Sequence, residues 1–100
     1  MRRKDVIARL KQAEPALRAV GIGALYLFGS HARDEASAAS DVDIFIDPAP
    51  DKNLGLLPFM EAYETLQDAF DHRVEIGYST RAGLSPHIRS DVEREALQIF

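Results

Sequence analysis

Asp41 and Asp43 stand one residue apart and follow the pair Gly29-Ser30 with ten residues between Ser30 and Asp41. In an extended strand successive side chains point to opposite faces, so the two aspartates share one face while Val42, Ile44 and Ile46 share the other. Two carboxylates held this close repel unless a cation sits between them, and hard divalent ions such as Mg²⁺ favour oxygen ligands. Gly29-Ser30 carries the complementary chemistry. A glycine just past a strand end lets the backbone approach a ligand, and successive N–H groups form a nest for an anion. Ser30 adds a hydroxyl donor, and Arg33 adds a charge-assisted donor for a phosphate oxygen. A helix beginning at 30–33 would aim its free N–H groups and its dipole at the same anion. Each signal alone is weak: Gly-Ser is commonly a plain turn, Asp-x-Asp a capped strand entry, and Arg33 a surface partner of Asp34 or Glu35. Together they couple a metal-binding half to a phosphate-binding half.

The elements that must position these residues alternate between helix and strand. Val6, Ile7, Leu10 and Ala13 recur at helical spacing over 3–13. Pro15 suits the first turn of a second short helix, which Gly21-Ile22-Gly23 breaks. Strands are expected over 24–28 and 42–46, the latter stopped by Pro48-Ala49-Pro50. A helix over 54–70 carries Leu56, Phe59, Met60, Tyr63, Leu66 and Phe70 along one stripe, read as core packing against a sheet. A third strand is expected over 73–78, and Ser85-Pro86 gives an N-cap and N1 proline for a last helix with Ile88, Val92 and Ala96 inward.

The third strand adds an acid. If Val74 and Ile76 face the same helices as Val42, Ile44 and Ile46, Glu75 lies on the carboxylate face. Neighbouring strands are about 4.8 Å apart, so a third carboxylate comes within reach of the same metals. Three acids on one face are unfavourable without cations, whereas two Mg²⁺ ions about 3.5–4 Å apart make them useful. The bland alternative makes Asp41 a strand cap and Glu75 a solvated edge residue. The combination with Gly-Ser at this spacing favours the metal reading.

Composition narrows the class. The 100 residues suit one domain over 1–100, with 46% hydrophobic and 28% charged residues as in ordinary globular protein. No apolar run approaches the roughly 18 residues needed to span a membrane, and the charge-interrupted N-terminus has no signal-peptide core. The absence of cysteine excludes disulfides and thiolate chemistry, and a cytoplasmic location is expected. The net charge is −4, and basic residues cluster only at Arg2-Arg3-Lys4, which argues against autonomous nucleic-acid binding. Gly21-x-Gly23 has Tyr26 where a dinucleotide-binding loop needs its third glycine, and no Gly-Lys-Ser/Thr occurs. His31, His72 and His87 show no metal-ligand spacing, although His31 lies close enough to the Gly-Ser loop for a minor substrate contact.

Gly29-Ser30, ten residues, then Asp41-x-Asp43 resembles the signature of the DNA polymerase β-like nucleotidyltransferase superfamily. Over nearly its full length the chain is similar to the minimal nucleotidyltransferase (MNT) domain proteins, the MntA-type antitoxins of HEPN/MNT toxin–antitoxin pairs. The likeness runs from Leu25 through the Pro-Asp-Lys-Asn-Leu-Gly-Leu segment (50–56) to Leu84-Ser-Pro-His-Ile-Arg. It implies an α/β (α+β) fold with a mixed three- to four-stranded sheet and helices packed on one face.

The resemblance also implies roles. Gly29 and Ser30 match the triphosphate-binding pair, Asp41 and Asp43 the two carboxylates that hold both catalytic Mg²⁺ ions. Glu75 falls where the family has its third acid, usually an aspartate. Arg33 matches the arginine of an Ala-Arg-Gly element in which this chain has Asp34 for the glycine. Ser40 matches as a hydrogen bonder that orders the loop. The implied reaction is in-line attack of an acceptor hydroxyl on the α-phosphorus of ATP, with pyrophosphate leaving. The implied acceptor is a tyrosine of a cognate HEPN ribonuclease toxin, with a homodimer mate as another source of the acceptor site. Two alternatives stay open: an antitoxin that only binds, and a small-molecule nucleotidyltransferase completed by a helical partner subunit. The apolar C-terminus, Leu97-Gln-Ile-Phe100, fits a partner interface or a buried final turn equally well.

Overall fold

The computed structural model describes residues 1–37, 39–51 and 53–100. Residue 52, within the 50–56 segment of the resemblance, lies outside the described residues. The elements run α1 (Arg3–Gln12), α2 (Glu14–Ala19), β1 (Ile22–Phe28), β2 (Val42–Pro48), α3 (Leu56–Ala69), β3 (Ile76–Thr80), α4 (Pro86–Glu95) and β4 (Leu97–Gln98). The strands form one mixed sheet in the order β3-β2-β1-β4. β1 runs antiparallel to β2 and to β4, whereas β2 and β3 are parallel and α3 provides the crossover between them.

Strand parity sets the two faces. Leu25 and Leu27 of β1 and Val42, Ile44 and Ile46 of β2 are buried together with Val6 and Leu10 of α1, Leu17 of α2, and Ala62 and Leu66 of α3. Helices α1–α3 therefore pack on one face, as the alternation led us to expect. The fourth helix adds a feature of the opposite face. Val92 of α4 and Leu84 pack on Phe45, with Tyr26 and Phe28 beside them. Phe45 stacks on Tyr26 at 4.7 Å between ring centroids. Residues of odd parity in β2, Asp43 included, share this second face with Phe45.

Some boundaries and contacts differ from the sequence reading. β3 begins at Ile76, not near Arg73, because Asp71 and His72 adopt φ 55° and 56° and turn the chain after α3. The C-terminal residues are neither a turn nor a free apolar end. Leu97–Gln98 pair with β1, Ile99 N–H donates to Leu25 O (2.8 Å) and Leu25 N–H donates to Phe100 O (3.0 Å). Two residues of strand are too few for a period of two to be visible. Leu56, Met60 and Ile88 are 73%, 54% and 47% exposed, so they are not core residues. Helical spacing shows which residues share a face, not how far the sheet beneath them extends. No helix among the described residues is long and apolar enough to cross a membrane.

Candidate active site

β1 delivers the chain to the site at Phe28, which lies opposite Asp43 in the strand register. Gly29 follows with φ 76°, a left-handed conformation that glycine adopts without a Cβ penalty. Residues 30–34 then form successive turns and no helix. No helix starts at 30–33, because the chain bends back at Asp34 (φ 59°) before a second helical turn forms. The loop closes by Arg33 N–H donating to Gly29 O (3.1 Å) and Glu35 N–H to Ser30 O (2.8 Å). Among the described residues no acceptor pairs with the N–H groups of Ser30, His31 or Ala32. The dipole argument lapses, but three open amides remain as an anion nest. Asp34 takes φ 59°, a left-handed conformation that aspartate tolerates better than most residues. It is exposed.

Asp43 is half-buried between two glycines. A Cβ built on Gly29 or on Gly77 would overlap its carboxylate oxygens. Gly77, paired with Asp43 in the β2–β3 register, was not singled out in the sequence. Its one signal there is a glycine inside a strand, which often marks a close approach. No protein donor among the described residues reaches the Asp43 carboxylate. Burial pushes its carboxyl above the ordinary range, and the charge of Asp41 adds to that shift. Glu95 raises it further, while His31 and Arg33 act in the opposite direction. Asp41 itself is exposed at the mouth of β2.

The other sequence-chosen residues lie in different settings. Arg33 Nη1 donates to Glu95 Oε1 (3.2 Å) and Oε2 (3.0 Å), and Arg33 Nε donates to Glu35 (3.4 Å). Glu95 also accepts from the Gly29 N–H at 3.1 Å. It is a residue of the site that sequence reasoning missed, since it lies at the far end of α4. Ser40 Oγ accepts from Ser37 N–H at 2.9 Å across the loop. Glu75 O accepts from Val42 N–H (2.9 Å), which sets Glu75 beside Asp41 one position before the first register pair, Val42 and Ile76. The Glu75 side chain is exposed and lines a cleft of about 440 Å³ with Tyr63, Gln67 and Arg73. His31 is only 3% exposed, and its Nδ1 has no partner among the described residues.

Among the described residues, one group of three acid or histidine side chains brings its ligand atoms within 4.8 Å of one another: Glu64, Asp68 and His72. Glu64 and Asp68 lie one turn apart on α3 and His72 in the turn that follows it, all three exposed, with His72 Nε2 2.7 Å from Asp68. Asp41, Asp43 and Glu75 are not drawn together to that degree. The donor set still fits a cation at Asp43: a half-buried carboxylate with no donor among the described residues, a second carboxylate raising its pKa, and two flanking glycines whose missing Cβ atoms make room for the carboxylate oxygens.

A family model described as Nucleotidyltransferase domain matches residues 4–99. The chain belongs to the nucleotidyltransferase domain family. Its members are transferases of nucleotidyl groups that typically use a divalent metal. No curated protein matches this nucleotidyltransferase-domain chain. Among solved structures it is similar to a minimal nucleotidyltransferase at 27% identity and TM-score 0.78, covering 97% of this chain and 95% of that one. It also shares its fold with a toxin–antitoxin crystal structure containing AMP-PNP, at 20% identity, TM-score 0.68, and coverage of 90% and 72%. A third similar structure is a toxin–antitoxin MntA–HpeT mutant, at 18% identity, TM-score 0.61, and coverage of 100% and 73%.

Proposed function

We propose that this chain is a single-domain, cytoplasmic, Mg²⁺-dependent adenylyltransferase antitoxin. It transfers AMP from ATP to a tyrosine hydroxyl of a cognate HEPN-family toxin and thereby neutralises that toxin. The observation that carries the enzymatic half is Asp43, a carboxylate without a protein donor lying beside a loop with three open amides. Toxin–antitoxin assemblies among the similar folds, one containing AMP-PNP, support the choice of partner and nucleotide.

In this reading Asp41 and Asp43 hold the cations, with Glu75 as the third acid. The cations supply Lewis-acid stabilisation of the phosphates and a more acidic acceptor hydroxyl. Gly29, Ser30 and Arg33 bind the triphosphate, so the loop stabilises charge on the departing pyrophosphate. Ser40 keeps the 37–40 turn closed beside Asp41. The acceptor tyrosine forms its bond to the α-phosphorus as the α–β bridging bond breaks.

The test incubates the protein with ATP, Mg²⁺ and its helical partner and weighs the partner by intact-mass spectrometry. The expected result is a mass increase of AMP that Asp43→Asn abolishes. A second reading, binding without catalysis, draws on the engagement of Arg33 by Glu95 and on the looser spacing of Asp41, Asp43 and Glu75 than of Glu64, Asp68 and His72. Neutralisation of the toxin by Asp43→Asn with no adduct on wild-type treatment would select it.

A further inference from the structure

We infer that Glu95 is an internal anion that holds part of the phosphate site, and that a triphosphate must take Arg33 from it to bind. The inference rests on the nucleotide-binding reading of the Gly29–Arg33 loop. One Glu95 oxygen accepts from the Gly29 N–H (3.1 Å), and both accept from Arg33 Nη1 (3.2 and 3.0 Å). A backbone amide at a positive-φ glycine together with a guanidinium is a donor pair suited to phosphate oxygens. The loop is therefore divided. Its first amide and its arginine are satisfied from within the chain, whereas the amides of Ser30, His31 and Ala32 have no acceptor among the described residues.

Glu95 is not a loose surface carboxylate that happens to lie near an arginine. It is the last residue of α4, and Val92 of the same helical turn is buried against Phe45. Ala96 is extended, and Leu97 pairs with Leu27 of β1 immediately afterwards. Packing on one side and strand pairing on the other fix the Glu95 backbone next to the Gly29 turn. The side chain is 28% exposed and that of Arg33 43%, so the pair is partly screened by water. A pair of that strength yields to a polyanion, which brings several charges and can also engage the three open amides.

The sign of the effect separates this role from that of a simple brace. Glu95→Gln keeps an oxygen that can accept from Gly29 but removes the charge that competes for Arg33. Inorganic tripolyphosphate and MgATP, titrated separately by calorimetry into the full chain, are then expected to bind about two- to fivefold more tightly to Glu95→Gln than to wild type. Glu95→Asp, one methylene too short to span Gly29 and Arg33, is expected to give a smaller gain in the same direction. The gain disappears when Arg33→Ala is combined with Glu95→Gln. Thermal melts confirm that each variant is folded.

Equal or weaker binding by both folded Glu95 variants, a gain that survives Arg33→Ala, or no tripolyphosphate binding by any form would overturn the inference. The expected tripolyphosphate pattern with no AMP transfer to any acceptor removes the transferase reading and leaves the role of Glu95 standing.

Discussion

Asp43 and Asp47 lie four residues apart on the same strand and the same face, yet the protein treats them in opposite ways. Asp47 meets Arg81, whose Nε donates to both carboxylate oxygens (3.1 and 3.2 Å) and whose Nη2 adds a bond of 2.9 Å. Arg81 also donates to Glu93 (2.6 Å) and lies over the rings of Tyr26 and Phe45 at 4.8 and 5.0 Å. Its basicity is raised, chiefly by its hydrogen bonds to Asp47. Asp43 has no such donor among the described residues, and burial with nearby carboxylates pushes its pKa up. One aspartate receives its cation from the chain. Under the proposed function the other takes its cation from outside. A single sheet face thus combines a neutralised structural charge with an unneutralised one, and only the second has a reason to bind metal.

Substitution should separate the two most sharply. Asp43→Asn is expected to lower AMP transfer by at least about 10²-fold, measured by initial rates at saturating ATP. Asp47→Asn should leave that rate within a fewfold and instead cost about 1 kcal/mol of stability in urea melts, because Arg81 loses its bidentate partner. Gly77→Ala comes next: its Cβ meets the Asp43 carboxylate, and displacement of that carboxylate predicts about a tenfold loss of transfer with the fold retained.

Stability should move the other way at Asp43. A folded-state pKa above the ordinary carboxylate value means that the unfolded chain releases the proton more readily, so the native state loses stability as pH rises between the two values. Asp43→Asn should therefore melt at a higher temperature than wild type at pH 7 without metal. The difference should fade as pH falls below the ordinary carboxylate range. Mg²⁺ should raise the melting temperature of wild type and not that of the variant. The smallest effect belongs to the exposed start of α3. Leu56→Gln, at a side chain 73% exposed, should change stability by no more than about 0.5 kcal/mol.

Much of the fold was legible because burial repeats locally. Val42, Ile44 and Ile46 alternate with Asp43 and Phe45, and that period alone gives a two-faced strand. The spacing from Gly29 to Asp41 likewise marks a strand, a loop and a returning strand. What escaped depends on distant placement. Glu95 reaches Gly29 across 66 residues, and Arg81 reaches Asp47 across 34. Gly77 gains meaning only from the parallel register that sets it beside Asp43. Whether a helix starts after Ser30 was open in the sequence: the positive φ of Asp34 ends the turn, and residue type alone does not announce that. Glu75 was read on a strand that begins one residue later, and its exposed side chain is free of the packing that orders Asp43.

The most direct test of the claim that Asp43 awaits an external cation is Mn²⁺ binding in the presence of ATP, followed by electron paramagnetic resonance of the free ion. Wild type should remove Mn²⁺ from solution stoichiometrically with bound nucleotide. Asp43→Asn should lose that binding, and the combined Glu64→Gln, Asp68→Asn, His72→Gln variant should keep it. Retention of binding by Asp43→Asn, with loss in the Glu64, Asp68 and His72 variant, would contradict the account and move the metal to the end of α3 and the turn after it.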